Sequence, residues 1–557
     1  MLDRCGGPST PTPGHEADQT SPDPHDPPTS SAPATIDTYN ERTDFVTSND
    51  AAPQVSIYSQ VPGGGSLPSG RTNTRRRATV TRDAAQLAAL ERSAADDNRV
   101  IVIKGGTVVT GDPALGNFVG DVLIRGSKIV EVGADLQAGG DAIVVDASDS
   151  IVIPGLIDAH LHAWEGQLRG IAPGVDFPGY MNLTHEGFAP FYRAHDNYVG
   201  NLTTSLVALD AGVTTIIDNS HNSRTPEHSN AAVEALRDAG IRAVHASGAP
   251  QAGDWAQHWP NDVLRLRDEY FATDDQLLTL RLFDAFPVPD VWAFAKEHGF
   301  WVSSEWGNYI TSLPELHKAG LLTPQHTFNH CFGLPDSDWD LIRDAGLTVN
   351  LCTRSDANFG LGPAFPPVYE ALERGIVPGL SQDAELSYGV DPFVEMQTLL
   401  TLSRSHVFDQ INSGVENPDT QLTPEQIFSF ATVGGARNAN LADKVGTLTP
   451  GKEADIVLLR TTDLNTGPGT NVFATLVGFA TARNVDTVIV GGQVRKWAGS
   501  LVGQDLTKVR DLVDESLGYL FDSRGLIADA FAEKGFREGE NAVSAQPASA
   551  LTALVED

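Results

Sequence analysis

Apolar residues recur in short runs from residue 99 onward, broken by Gly, Asp and Asn, whereas the residues before it carry no such period. The runs at 100–103, 107–110, 121–124, 128–132 and 142–146 have strand length and turn-type breaks, which predicts a small β module. A matching group at 454–459, 485–490 and 493–496 predicts that both flanks build one β-sandwich. Between the flanks, strand-like runs at 151–157, 213–218, 241–246, 278–284, 300–305, 326–331, 347–352 and 376–382 alternate with helical patterns, among them 230–238, 291–298, 336–344 and 367–373. Alternation of β and α over about 290 residues implies a parallel sheet, and eight units imply a closed (β/α)8 TIM barrel. The fold class is therefore α/β, with a disordered extension over 1–97, a sandwich from 98–150 and 445–500, a barrel over 151–444 and a helical tail over 501–557.

Catalytic groups of such barrels sit at the C-terminal ends of the strands, so the polar residues there are the candidates. The first strand runs into Asp158-Ala159-His160-Leu161-His162. Residues i and i+2 of a strand share a face, so both imidazoles leave the strand tip together and can serve one metal ion. Glu305 ends the fifth strand, His330 the sixth and Asp383 the eighth. A carboxylate following an apolar strand needs a partner to be buried. Together they suit metal-assisted attack by water: the ion acidifies its water, Asp383 holds it and takes its proton, and His330 polarises a carbonyl or imine.

These features resemble the amidohydrolase superfamily, in its cytosine deaminase and triazine/chlorohydrolase branch. The resemblance rests on 154–162 (PGLIDAHLH), 212–215 (GVTT), 329–331 (NHC), 381–383 (SQD) and 446–455 (GTLTPGKEAD). It implies a divalent metal at the barrel mouth, zinc first with iron or manganese as alternatives, and hydrolysis of C–N or sometimes C–Cl bonds in small molecules. It also implies a homo-oligomer. Relatives of this kind carry a histidine at the end of strand five and a proton-shuttling glutamate three residues on; those positions fall on Glu305 and Asn308. Glu305 is then either a carboxylate ligand with His160, His162 and Asp383, or the acid–base group from a shifted register.

Composition narrows the rest. The formal net charge of -34 repels phosphate backbones and anionic lipid, so neither nucleic acid nor a membrane surface is an expected partner. No apolar run reaches the length of a membrane span, and the arginine triplet at 75–77 lacks the apolar stretch of an export signal; a cytoplasmic location is expected. Eleven of the 34 prolines fall in the first 68 positions, against a packed core there. Cys331 and Cys352 read as buried free thiols and Cys5 as part of the extension, so no disulfide framework is implied.

Arg169, Trp164, His221, Trp306 and Asn308 are the candidates for substrate contact: a guanidinium fork for a carbonyl or carboxylate, two indoles able to stack on a ring, and polar groups beyond strands two and five. The expected activity is hydrolytic deamination of an amino-substituted heterocycle. Cyclic-amide or N-acyl hydrolysis is the alternative, and a non-catalytic scaffold on the same fold is a further one.

Overall fold

The computed structural model describes residues 80–545, apart from 81, 138, 172, 274, 363 and 364. The expectations for Cys5 and the arginine triplet, and most of the extension, lie outside the described residues. Near its end, a helix at Ala84–Arg92 is capped by Asp83, whose carboxylate accepts from the Ala85 N–H, and Leu90 anchors it in an apolar core.

That core belongs to a nine-stranded mixed sheet drawn from both flanks. Its N-terminal strands are β1 (Val100–Val109), β2 (Asn117–Arg125), β3 (Lys128–Gly133), β4 (Ile143–Asp146) and β5 (Ser150–Pro154). The barrel follows as β6 (Leu156–Leu161), β7 (Val213–Ser220), β8 (Arg242–Gly248), β9 (Leu278–Phe283), β10 (Val302–Gly307), β11 (Thr327–Phe332), β12 (Thr348–Leu351) and β13 (Gly379–Leu380). The first sheet is completed by β14 (Ile456–Arg460), β15 (Val485–Val490), β16 (Gln493–Trp497) and β17 (Ser500–Leu501). Its order is β17-β16-β15-β14-β5-β1-β2-β3, with β4 on β1; antiparallel pairing of β14 with β5 joins the two flanks.

The eight barrel strands pair in sequence order, all parallel. They are almost wholly buried, as strands covered on both faces must be. Beyond β13 the ring is drawn together by Asp383, whose N–H donates to His160 O and whose O accepts from the His162 N–H. Helices return between strands and end cleanly: Gly299 and Gly346 take left-handed φ values of 73° and 69° that L side chains rarely adopt, turning the chain into the next strand.

The apolar run expected as one barrel strand at 151–157 is two strands. Residues 150–154 pair with β1 and β14, and only 156–161 enters the barrel. Gly155 is the break, where a Cβ would sit 1.9 Å from Thr214 Oγ1. Close packing there left periodicity nothing to register. The two sheets are clamped by Arg242, which donates through Nε and Nη2 to Asp455 at 2.8 and 3.0 Å; Asp455 also accepts from the Gly491 N–H. This gives the GKEAD segment a structural role.

The helical tail expected over 501–557 is helical only in its first part among the described residues. One helix, Leu506–Arg524, ends at Gly525, and a hairpin of β18 (Leu526–Ala528) and β19 (Phe536–Glu538) follows. Phe536 packs on Phe188 and Phe521, so this hairpin braces the segment after the first barrel strand. No helix among the described residues is long and apolar enough to cross a membrane.

Candidate active site

The tips of β6 and the segment after β13 bring His160, His162 and Asp383 together. Asp383 Oδ1 lies 3.0 Å from His160 Nε2 and 3.1 Å from His162 Nε2. One ligand atom from each lies within 4.8 Å of the other two. Donors about 2.0–2.2 Å from one tetrahedral ion stand about 3.3–3.5 Å apart, so the group fits a single cation. The rings are held in a suitable form: His162 Nδ1–H donates to Asn219 O at 3.2 Å, leaving Nε2 free. The Asn219 side-chain amide lies 2.5 Å from His160 Nδ1, and with Oδ1 turned to accept there it fixes the same tautomer. Asp158 ties the two tips together, accepting from the N–H groups of His160 and Gln382 and from Gln382 Nε2 at 2.9 Å.

Glu305 faces two ways. Oε1 lies 3.4 Å from His160 Nε2 and 3.9 Å from His162 Nε2, and Oε2 lies 3.0 Å from His330 Nε2. His330 is gripped from behind by Asp356, which accepts from Nδ1–H at 2.6 Å. Ser355, the neighbour of Asp356, donates to Asp383 Oδ2. His330, Cys331 and Asp383 all adopt left-handed φ values of 58–66°. Such backbones cost about 1–3 kcal/mol each and persist where the surroundings enforce them; His330 and Asp383 line the cavity at the barrel mouth, and Cys331 packs in the core.

The electrostatics favour a cation. Burial alone would lower the His162 pKa, but the Asp383 hydrogen bond and charge, with Glu165 and Glu305, push it up to about 9. Burial would likewise raise Asp383, yet its contacts with His160 and His162 hold it well below the usual carboxylate range. Glu305 is lowered by His160, His330 and His162 against the same burial penalty.

His162, Glu305, His330, Asp383 and His221 line one cavity, roofed by Phe177, Tyr180, Phe359 and Leu361. About 40 Å³ is open there to the centre of a water molecule. Other sequence candidates lie elsewhere. Trp306 stacks on Phe328 at 4.1 Å, fully buried in the core, and Trp164 packs edge-on behind His221. Arg169 donates to Glu385 Oε1 at 2.6 Å, and exposed Asn308 lies against Gly333. These four do not line the cavity, because indoles and long polar chains at strand ends are equally suited to packing and ion pairing. Cys331 and Cys352 are buried free thiols, as expected.

A model of the amidohydrolase family matches residues 151–284 and 293–495. The chain belongs to the amidohydrolase family. It is accordingly a hydrolase of carbon–nitrogen bonds other than peptide bonds. Among curated proteins it is similar to the 5'-deoxyadenosine deaminase of Methanothermobacter thermautotrophicus, 26% identical over 446 residues, covering 76% of this chain and 99% of the relative. It is equally similar to the 5-methylthioadenosine/S-adenosylhomocysteine deaminase of Pyrococcus abyssi, 26% identical over 74% of this chain and 97% of that one. Its fold is that of a zinc-bound adenosine deaminase from Xanthomonas campestris, with a TM-score of 0.66 at 20% identity over 76% of this chain and 98% of the other. Atrazine chlorohydrolase TrzN from Arthrobacter aurescens TC1, complexed with zinc, gives 0.64 at 22% identity, over 75% and 100%.

Within this amidohydrolase site, sequence reasoning missed Asn219, Ser355, Asp356, His185 and Gln251. Asn219 lies on β7, and Ser355 and Asp356 follow β12 by a few residues. The strand-end rule that found Asp383 would have found these, had it been applied to strands two and seven. His185 and Gln251 line the same cavity from loops, where no periodicity marks them. His245, at the third strand, pairs with Asp218 at 3.1 Å and does not line the cavity.

Proposed function

We propose that the protein removes an amino group from a planar nitrogen heterocycle by hydrolysis. The observation that carries this is the cage of His160, His162 and Asp383 placed beside the Glu305–His330–Asp356 array at one cavity, which His162, Asp383, Glu305 and His330 line. His160, His162, Asp383 and Glu305 Oε1 would hold one divalent ion, zinc first. Such an ion, when bound, supplies a water acidic enough to lose its proton near neutral pH.

The chain's own groups do the rest. Asp383, its Oδ2 steadied by Ser355, takes the water's proton at Oδ1. His330, its Nδ1–H donated to Asp356, presents Nε2 to the cavity and protonates the departing amine. Glu305 Oε2 keeps that ring aligned. The aromatic roof excludes water once the ring is in place. The reading also includes a homo-oligomer, supported by the family resemblance alone and checked by light scattering.

The test is ammonia release from a panel of purine nucleosides, pyrimidines and aminotriazines by zinc-, iron- and manganese-loaded protein. Turnover of at least one amino-heterocycle is expected. Turnover of cyclic amides or N-acyl compounds without ammonia would replace this reading. A metal-free native protein inert toward every compound would leave a scaffold.

A further inference from the structure

Resting on the deaminase reading, we infer that this site takes an uncharged ring and rejects substrates carrying a carboxylate or phosphate into the cavity. The cavity lining holds no Lys or Arg among the described residues. Between residues 156 and 380 the chain has two lysines, Lys296 and Lys318, both on helices outside the strands. The arginines following the tips of strands one, two and seven are all committed. Arg169 holds Glu385. Arg224 donates to the carbonyls of Ala189, Ala252 and Asp254 and to Asn222. Arg354 binds Glu395, and Gln382 Oε1 at 2.8 Å.

Two further histidines line the cavity, and each meets an uncharged polar partner. His185 meets the Tyr180 hydroxyl at 3.2 Å, and His221 the Gln251 amide at 2.9 Å. Both rings are buried, and neither has a carboxylate among these partners. His221 Nε2 is buried with no partner, and it is free to read one polar atom of a neutral ring. Six aromatic side chains complete the lining and suit a planar ring: Phe177, Tyr180, Phe286, Tyr309, Phe332 and Phe359.

An anion entering this lining would exchange water for aromatic faces, with no cationic side chain of the lining to replace its hydration. Admission of any ring needs the roof to move, since ligand pockets measure about 300–1,000 Å³. The roof comes from 177–180 and 359–361, and neither stretch contains a basic residue. Opening therefore supplies no counter-charge from the moving parts.

The experiment compares matched pairs on the metal-loaded full chain: 5'-deoxyadenosine against adenosine 5'-monophosphate, and cytosine against 5-carboxycytosine. Ammonia release gives kcat/KM, and calorimetry gives binding of each compound whether or not it turns over. The uncharged member is expected to win by about 100-fold or more in whichever pair is accepted. Leu361→Arg, or Gln251→Arg from a different loop, is expected to shrink that ratio about tenfold by improving the anionic member. Anionic and neutral members bound and turned over alike would overturn the inference, as would ratios unmoved in both folded variants. Failure of the deaminase reading looks different: compounds bind with the stated charge preference, yet no ammonia appears.

Discussion

Glu305→Gln keeps the side chain's size and removes its charge, and so tests what the carboxylate does. Its oxygens lie 3.4 and 3.9 Å from the cage imidazoles and 3.0 Å from His330 Nε2. Unit charges 3.0 Å apart interact by about 5–6 kcal/mol at an effective dielectric near 20. Desolvation offsets much of this, and removing one partner of a buried pair costs about 3–5 kcal/mol net. For the metal, loss of outer-shell partners alone costs about 10–100-fold in affinity. A ligand should cost more, so at least about 100-fold is expected, or about 2.7 kcal/mol. Chelator competition read by elemental analysis, with kcat/KM at limiting and saturating metal, measures both effects. Weaker binding with partial rescue at high metal is expected. Glu305→His should restore a neutral donor, keep the ion, and move the acid limb of kcat/KM to lower pH, because one fewer anion leaves the ion a stronger Lewis acid. Should Glu305→Gln bind metal within about threefold of wild type, under 1 kcal/mol, Oε1 is no ligand and the four-donor reading is wrong.

Native protein should carry near-stoichiometric metal that disappears on combining His160→Ala with His162→Ala; a metal-free wild type grown with ample metal speaks against the cage. Asp356→Asn should lower kcat about 10–100-fold with little change in KM and alter the pH profile, whereas an equal loss of folded protein would point to a structural role. Arg242→Ala leaves Asp455 buried and unpaired, and urea unfolding should show a loss of about 3–5 kcal/mol, largely recovered when Asp455→Leu accompanies Arg242→Met. His326 is lowered to about 4 by burial, accepting the Val302 N–H at Nδ1 and donating from Nε2–H to Leu321 O. Its contribution is complete above the unfolded value near 6.5 and is lost as pH falls toward 4, to the extent of about 3 kcal/mol. The stability gap between wild type and His326→Gln should narrow by that amount between pH 7 and pH 4, and a constant gap would count against it.

The alternation of apolar runs was enough to determine the barrel, because strands buried on both faces must be apolar and helices must return between them. The spacing of His160 and His162 determined the metal pair for an equally local reason: i and i+2 share a face. What lay beyond the sequence depends on atoms far apart along the chain. Thr214 decides that the first apolar run breaks at Gly155. Phe328 takes Trp306 into the core, and Glu385 takes Arg169 away from the cavity. Asp356 reaches His330 only because β11 and β12 lie side by side and the backbone at His330 turns left-handed. The emptiness of the cavity wall of positive charge is likewise a tertiary fact, since each nearby arginine is spent on a partner that only the folded chain supplies. Periodicity reports which face of an element is buried; which neighbour it meets there is set by packing.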